Sequence, residues 1–391
     1  MVSGLFVLFL VRGVGAKPSW RELESYDWSQ YKVDFGKEYE GTEDVLRRMI
    51  FSERLAEIKK FNDGPGLYKK GVNAMTDLTE PERLARFGGG HAQVVGSRSR
   101  ETTEAALSST REASRTSGPS LMADEEDELQ GLATLDWRKS GIVSPVKDQG
   151  SCGSCWAFAS TETIESYVAL NTGSLPLLSP QQLVSCAQNP YSCGGTGGCE
   201  GSIPELAFSY VQLYGQTTEA NWPYEGVDVD CGAAPIKAEV AINGFQKVRS
   251  NDKDAVLSAL LNGPLAVNVD ATAWHDYDSG VFDGCSNGHT NNTDLNHVVQ
   301  LVGYDYDPDL GAEYWIVRNS WDSTWGEDGY VRLKKSSDAE PCSVDHTPLD
   351  GTGCDGGPVQ TVCGECGVIF DASFPLGARF VEDPSSSSSS S

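Results

Sequence analysis

Apolar positions along the chain follow two different periods. From Glu43 to Asn62 they recur every three or four residues, the spacing of one helix face, so an amphipathic helix is predicted there. Residues 155–170 and 203–214 are predicted to form two buried helices. Runs rich in β-branched and aromatic residues predict strands at 263–269, 297–304, 313–321 and 329–335. Helices early and antiparallel-looking strands late indicate an α+β architecture.

Composition shifts along the chain predict five segments. Residues 1–16 begin with ten almost wholly apolar residues, too few for the roughly 20 that span a bilayer, and predict a signal peptide. Residues 17–88 combine many aromatics with the amphipathic helix and predict a small helical unit. Residues 89–131 have little apolar content and predict a flexible linker open to proteolysis. A large unit follows at 132–384, and the serines of 385–391 predict a disordered tail.

Charge and cysteine content narrow the possible partners and compartment. The net charge of −26 argues against binding to nucleic acid or to anionic membranes. Eleven cysteines behind a signal peptide indicate disulfides, with at least one cysteine outside an intrachain pair because the number is odd. We therefore expect a chain of the secretory route with no membrane anchor once the signal is removed.

The stretch GSCGSCWAF contains the first candidate for chemistry. Cys155 begins a predicted helix, whose positive end lowers the pKa of a thiol, whereas Cys152 lies in the glycine-flanked loop before it. The pair alone is compatible with a redox dithiol, half a zinc site, or one structural and one reactive cysteine. A nucleophilic cysteine needs a base, and His297 opens an apolar strand that would hold its ring rigidly. The other histidines lie in the linker (His91) or in turn-rich segments that look exposed (His275, His289 and His346).

Three separated motifs resemble those of papain-like cysteine peptidases of the cathepsin L type. They are LDWRKSGIVSPVKDQGSCGSCWAFAS, NHVVQLVGY and YWIVRNSWDSTWGEDGYVRL. His297 follows Cys155 by 142 residues and Asn319 follows it by 164, where the family's His and Asn lie about 130 to 150 residues downstream. The resemblance implies a two-lobed peptidase, with a helical lobe and an antiparallel β-barrel-like lobe, preceded by a small α-helical inhibitory prodomain. Activation would then require cleavage within the linker.

The resemblance also implies catalytic roles. Cys155 would form the acyl-enzyme, and His297 would be its ion-pair partner and later proton donor. Asn319 would orient the imidazole, and Trp321 would shield that contact. Gln149 would contribute its side-chain amide to the oxyanion hole beside the Cys155 backbone N–H.

The N-terminal unit resembles the family's prodomain in an interspersed helix pattern. The matching residues are Glu43, Arg47, Phe51, Ile58 and Asn62, with Arg54 in place of the usual Asn. The later stretch GVNAMTD matches the next prodomain motif, with Met75 in place of the usual Phe. The resemblance implies that this prodomain lies along the cleft and blocks it, and that acid loosens it by protonating paired carboxylates.

By resemblance, three disulfides are expected: Cys152–Cys199, Cys186–Cys231 and Cys285–Cys366. Four cysteines then remain, and the sequence cannot assign their pairing: Cys193, Cys342, Cys354 and Cys363. The last three belong to residues 336–363, an insertion relative to the usual family pattern. With His346 they resemble possible zinc ligands, but in a secreted chain a disulfide-stapled loop is favoured.

Motif alignment also assigns substrate-binding residues, mostly around the pocket for P2, the second residue before the cleaved bond. The set is Gly201, Ser202, Ile203, Pro204, Asn268, Leu295, Asn296, Trp321 and Asp371. Ser202 replaces a glycine that usually pairs with the substrate backbone, and Asn268 replaces a small apolar residue. Related enzymes with a carboxylate at the position of Asp371 accept arginine as well as bulky apolar groups, so we expect both at P2.

These features predict a cysteine endopeptidase made as a zymogen, acting on proteins or peptides in the lysosome, the vacuole or the extracellular space. We expect a monomer without metal or cofactor. A non-enzymatic relative would require loss of Cys155, His297 or Gln149, and none is lost. A thiol–disulfide oxidoreductase would need Cys152 reduced as well. An exopeptidase would need one end of the cleft blocked, as the insertion could do, but paired histidines for a terminal carboxylate are lacking.

Overall fold

The computed structural model describes residues 17–87, 134–233, 236–286, 292–355 and 357–381. The predicted signal peptide, linker and serine tail lie outside these residues. The domain limits proposed from the sequence therefore remain predictions.

The N-terminal unit is helical and has a small aromatic core. It contains a 3-10 helix at Trp20–Ser25, then α1 (Trp28–Asp34), α2 (Gly41–Asn62), β1 (Tyr68–Lys70) and α3 (Glu80–Leu84). Helix α2 covers the predicted amphipathic segment and buries Phe51, Leu55 and Ile58 against Trp28 and Tyr31. One turn before Phe51, Arg47 pairs with Glu82, so α2 also holds α3 in place.

The larger unit is built around one helix that is buried on all sides. Its helices are α4 (Cys155–Thr172), α5 (Pro180–Cys186), α6 (Pro204–Tyr214) and α7 (Lys253–Leu260), with 3-10 turns at Trp137–Ser140, Gly198–Glu200, Pro348–Asp350 and Glu365–Gly367. Every residue of α4 from Cys155 to Ala169 is buried, because α5 and α6 pack on one side of it and the sheet packs on the other. Helix α4 therefore lies between the helical lobe and the sheet lobe.

The sheet lobe is a nine-stranded sheet, including β1 of the N-terminal unit. The other strands of the chain are β2 (Leu135–Asp136), β3 (Val240–Ala241), β4 (Gly244–Lys247), β5 (Leu265–Val269), β6 (Tyr277–Phe282), β7 (His297–Asp307), β8 (Ala312–Arg318), β9 (Tyr330–Lys334), β10 (Cys342–Asp345), β11 (Gln360–Cys363), β12 (Ala372–Leu376) and β13 (Arg379–Phe380). Within the nine-stranded sheet the strand order is β1-β6-β9-β8-β7-β5-β12-β4, with β2 beside β7, and only the β6–β9 pair is parallel. The pairs β10–β11 and β13–β3 form two separate two-stranded sheets. The α+β prediction is confirmed, whereas closure into a barrel remains a prediction because this order runs as an open path.

Strand β1 joins the N-terminal unit directly to the sheet lobe. It pairs antiparallel with β6, and Tyr68 lies opposite Gly280. Gly280 has φ of +96°, and an added Cβ would overlap the Leu67 carbonyl, so this position requires glycine. The N-terminal unit thus docks by adding a strand to an existing sheet edge.

Five disulfides join ten of the eleven cysteines. Three are the expected pairs, Cys152–Cys199, Cys186–Cys231 and Cys285–Cys366. The other two are Cys342–Cys363, across the β10–β11 hairpin, and Cys193–Cys354, which ties the insertion to the helical lobe. The insertion is therefore stapled by disulfides, and these thiols are not available as zinc ligands.

Candidate active site

Cys155 is the first residue of α4, and its thiol is buried. The preceding residue Ser154 has non-helical backbone angles, so the helix begins at the cysteine itself. Cys152 is bonded to Cys199, which fixes the loop before the helix. With Cys152 oxidised, the structure does not support a redox dithiol of Cys152 and Cys155.

His297 and Asn319 form a directed pair on neighbouring strands of the sheet lobe. His297 opens β7, Asn319 follows β8, and the distance from His297 Nε2 to Asn319 Oδ1 is 2.8 Å. An amide oxygen can only accept, so Nε2 carries the proton and Nδ1 is left as an acceptor. Nδ1 is buried and makes no hydrogen bond within the described part of the chain. Trp321 lies against the imidazole, with ring centroids 5.0 Å apart.

The side-chain amide of Gln149 is held from both ends. Its oxygen accepts from Ser320 Oγ at 2.6 Å, which leaves the Nε2 hydrogens directed away from that loop. Nε2 donates to the carbonyl oxygens of Arg86 at 2.7 Å and Cys152 at 2.9 Å. The donor predicted for the oxyanion hole therefore already holds a peptide carbonyl, and Arg86 belongs to the N-terminal unit.

Phe87, the residue after Arg86, covers the imidazole ring of His297. Its ring centroid lies 6.0 Å from that of His297, 5.9 Å from Trp321 and 5.2 Å from His275. Arg86 also pairs with Asp148 at 3.2 Å. Residues 86 and 87 thus contact the Gln149 amide and the His297 imidazole together and cover both groups.

An ion pair and two side-chain hydrogen bonds to backbone carbonyls hold the N-terminal unit against the sheet lobe. Arg83 Nη2 lies 2.7 Å from Asp276 Oδ1, and Asn73 Nδ2 donates to the His275 carbonyl at 2.6 Å. His275 Nε2 lies 3.3 Å from the Arg83 carbonyl. The prediction that His275 is exposed was wrong: only 4% of it is exposed, because the N-terminal unit lies on it.

Burial by the N-terminal unit changes the electrostatics of both histidines. Burial lowers the pKa of His297 to about 4; the hydrogen bond to Asn319 opposes this, and the charge of Arg86 adds to it. Burial, followed by the charge of Arg83, lowers the pKa of His275 to about 3. In this form of the protein His297 is therefore a neutral imidazole at neutral and mildly acidic pH.

The residues expected at the P2 pocket come from both lobes. Asn268 of β5 and Asp371, just before β12, are buried and joined by Asn268 Nδ2 and Asp371 Oδ2 at 3.0 Å. Lys247 Nζ lies 2.7 Å from Asp371 Oδ1 and also 2.7 Å from Glu205 Oε1, at the start of α6. This ion-pair cluster links the two lobes beneath the expected pocket.

The other residues expected to line the pocket lie at the start of α6 and just before β7, and one of them, Asn296, is directed elsewhere. Ile203 and Pro204 stand at the start of α6, and Leu295 is buried two residues before His297. Gly201 and Ser202 are also buried. The Asn296 side chain is instead directed at the turn after β5, where it accepts from Ala271 N and donates to Thr272 Oγ1.

Several residues of the site gave no signal in the sequence. Phe87 and Arg86 act on the site only because the chain folds back over it, and the predicted domain limit stood beside them. Nothing in the sequence around Lys247 distinguishes it from a lysine on the surface. Glu205 had a weak signal, since it directly follows Pro204 of the expected pocket.

A thiol at a helix start, an imidazole–amide pair and a side-chain amide donor covered by an N-terminal helical unit are the features expected of a cysteine hydrolase in a precursor form. The comparisons are specific. The family described as papain family cysteine protease matches residues 132–352, and the cathepsin propeptide inhibitor domain (I29) matches residues 28–82. The chain belongs to the papain family of cysteine proteases.

Individual relatives align with most of the length of the chain. Fruit bromelain from Ananas comosus is 33% identical over 329 residues, covering 82% of this chain and 84% of that protein. Pro-cathepsin H from Bos taurus is 33% identical over 321 residues, covering 80% and 86%. The solved structure of digestive procathepsin L 3 from Tenebrio molitor larval midgut superposes with a TM-score of 0.64 at 30% identity, covering 92% of this chain and all of that one. The chain thus carries its own intramolecular inhibitor, the prodomain.

We expect the pKa of His297 to rise when the prodomain is removed. In the precursor it is about 4, because burial and the nearby Arg86 charge disfavour the imidazolium. The Arg86 charge and the part of the burial that Phe87 supplies leave with the prodomain. The measurement is an NMR titration of the histidine ring signals in the Cys155→Ala precursor and in the Cys155→Ala mature form. This variant removes self-cleavage and any thiolate contribution. The exposed His346 is the internal control, and equal His297 midpoints in the two forms would contradict the prediction.

Proposed function

We propose that the chain is the precursor of a cysteine endopeptidase that hydrolyses peptide bonds through an acyl-enzyme on Cys155. The observation that carries this proposal is the hydrogen bond from Gln149 Nε2 to the Arg86 carbonyl at 2.7 Å. A peptide carbonyl of the prodomain occupies the donor that a substrate carbonyl would use, while Phe87 covers His297. The prodomain is then a substrate-like inhibitor of the site.

In the proposed mechanism the Cys155 thiolate attacks the carbonyl carbon of the scissile bond. The new oxyanion is stabilised by the Gln149 amide and the Cys155 backbone N–H. The His297 imidazolium, oriented by Asn319, donates its proton to the leaving amine as the C–N bond breaks. Water then attacks the thioester, gives a proton to His297 and releases the acid and the thiolate.

The secretory route is supported by the five disulfides, because such bonds persist in oxidising compartments. In the described segments, no helix is long and apolar enough to cross a membrane. We propose a lysosomal, vacuolar or extracellular enzyme that acts as a monomer on protein or peptide substrates.

Acid release of the prodomain is supported by the Arg83–Asp276 pair. Burial works against ionisation of Asp276, but the charge and hydrogen bonds of Arg83 outweigh it and lower the carboxyl pKa below its usual value. A lowered pKa in the docked state means that the pair stabilises docking above the normal aspartate range. This contribution is lost as the pH falls through the lowered pKa, so acid favours release.

P2 selectivity in this proposal depends on how Asp371 is neutralised. Lys247 serves two carboxylates, so the cluster carries a net negative charge when Asp371 and Glu205 are both ionised. Burial and the neighbouring Asp371 charge raise the pKa of Glu205. We therefore propose hydrophobic P2 residues throughout, with arginine accepted best at higher pH, where Glu205 is ionised.

The first test locates the nucleophile. The epoxide E-64 should label Cys155 in the acid-processed enzyme and should fail to label the intact precursor, because Phe87 and Arg86 cover the site. Cys155→Ala should lower peptide hydrolysis by at least about 1,000-fold. Peptide mass spectrometry identifies the modified residue. A processed enzyme whose label lies elsewhere than Cys155 would reject the proposed function.

The second test concerns activation. Asp276→Asn removes the ion pair at every pH, so the precursor should process several-fold faster and begin at higher pH than the wild type. Gel analysis of the precursor at stepped pH gives both quantities. Asp338→Asn, on an exposed aspartate, is the matched control, and Cys155→Ala should leave the precursor intact. Identical onset in Asp276→Asn and wild type would contradict the role of this pair.

The third test concerns the P2 pocket. Lys247→Met should raise the ratio of Arg-Arg to Phe-Arg substrate hydrolysis by about three- to fivefold, because Asp371 loses its cation, and Asp371→Ala should lower this ratio. Lys237→Met changes an exposed lysine that pairs with Glu239 at 3.7 Å and is the control. An unchanged ratio in Asp371→Ala would show that the carboxylate does not contribute to selectivity for the P2 residue.

A further inference from the structure

We propose that the insertion forms the outer wall of the P2 pocket and closes the cleft on the amino-terminal side of the scissile bond. The segment concerned is 346–355, here called the strap, which connects β10 towards β11. The inference rests on the proposed function only in taking Ser202, Ile203 and Leu295 as walls of the P2 pocket.

The strap is attached to the helical-lobe wall by covalent and backbone contacts. Cys354 is bonded to Cys193, Gly353 O accepts from Gly194 N at 2.9 Å, and Asp355 N donates to Tyr191 O at 3.0 Å. A Cβ added to Gly194 would overlap the Gly351 carbonyl oxygen. It would also lie 2.9 Å from Ile203 Cγ2 and 3.1 Å from Ser202 O, so strap and wall are in direct contact there.

The same strap also lies on the opposite wall. A Cβ added to Gly351 would overlap the carbonyl of Leu295. The flanking strand β10 bonds to the chain just before Leu295, through Thr293 N and Val344 O at 2.9 Å and a parallel bridge at Asn292. His346 N donates to Asp294 Oδ1 at 2.8 Å. Gly351 therefore bridges the two walls by its backbone alone, and any side chain at this position would separate them.

Internal hydrogen bonds make the strap a rigid element. A 3-10 turn at Pro348–Asp350 leads into Gly351, and the Pro348 carbonyl accepts from Thr352 N at 3.1 Å and Gly353 N at 2.5 Å. Thr352 Oγ1 donates to Gln360 Oε1 of β11 at 3.0 Å. Gly351 and Gly353 are both buried. The wall is thus part of the folded enzyme and does not depend on substrate.

This position limits how far a substrate can extend. An extended peptide advances about 3.3 Å per residue, so the residues at P3 and P4 reach the place where Gly351 joins the walls. They meet the strap instead of an open groove. The enzyme should therefore gain its acyl-side binding energy up to P2 and little from residues beyond it.

Substrates of different length test the inference in the mature enzyme. The probes are a blocked dipeptide amide with a hydrophobic P2 residue and the same peptide extended by two alanines at P3 and P4. For the wild type we expect the ratio of kcat/KM for the long and short probes to stay below about 3. A wild-type ratio of about 10 or more would overturn the inference without any variant.

A shortened enzyme supplies the comparison. Residues 346–359 are replaced by Asn-Gly, which closes the β10–β11 hairpin after the Asp345–Gln360 pair, and Cys193→Ser removes the thiol left without a partner. The Cys342–Cys363 disulfide remains. We expect the long-to-short ratio to rise at least about fivefold over wild type. Leu213→Ala changes an exposed residue near the end of α6, outside the strap, and should leave the ratio unchanged.

The two hypotheses fail in different ways. Hydrolysis of the short dipeptide by the wild type tests the proposed function, because that probe ends at P2 and needs no binding beyond it. The ratio of long to short probes tests the strap alone. An equal ratio in the shortened enzyme and the wild type, with dipeptide hydrolysis retained in both, would overturn the inference.

Discussion

The site depends on a buried ion pair between the two lobes. Glu162 lies two turns along α4 from Cys155, and Arg318 is the last residue of β8, next to Asn319; Arg318 Nη2 and Glu162 Oε1 are 3.2 Å apart. Burial raises the pKa of Glu162 to about 7, against the charge of Arg318. Arg318 stays charged at every relevant pH, and an unmatched buried charge costs about 3 to 5 kcal/mol, so its guanidinium cannot leave its polar partners. The pair therefore constrains the helix that begins at Cys155 relative to the strand that leads into Asn319.

The prodomain inhibits this site with three kinds of contact that have separate effects. Strand pairing of β1 with β6 sets its position on the sheet lobe. The Arg83–Asp276 ion pair adds a charged contact with the sheet lobe, and it holds the pKa of the Asp276 carboxyl below its usual value. Arg86 and Phe87 bond to the Gln149 amide and cover the His297 imidazole. All three are non-covalent and reversible, as inhibition that ends on activation requires.

The candidate nucleophile and base could be named from the sequence because their signals are local. Cys155 follows a glycine-rich loop at a helix start, and His297 opens an apolar strand, so each position is readable within about ten residues of sequence. His275 shows the opposite case. Its neighbours suggested an exposed turn, but it is buried by Arg83 and Phe87, nearly 200 residues away in the chain. Lys247 was unpredictable for the same reason, since Glu205 and Asp371 approach it from different lobes.

The sequence by itself determined the α+β class, the helix at Glu43–Asn62, the main strands and the identity of the candidate nucleophile and base. These follow from periodicity and motif spacing, which depend on neighbouring residues. Only the tertiary structure decided the Cys193–Cys354 and Cys342–Cys363 pairs, the carbonyl that Gln149 holds and the course of the insertion between two walls. Those features depend on which distant backbones approach closely enough to bond, and no local pattern encodes that distance.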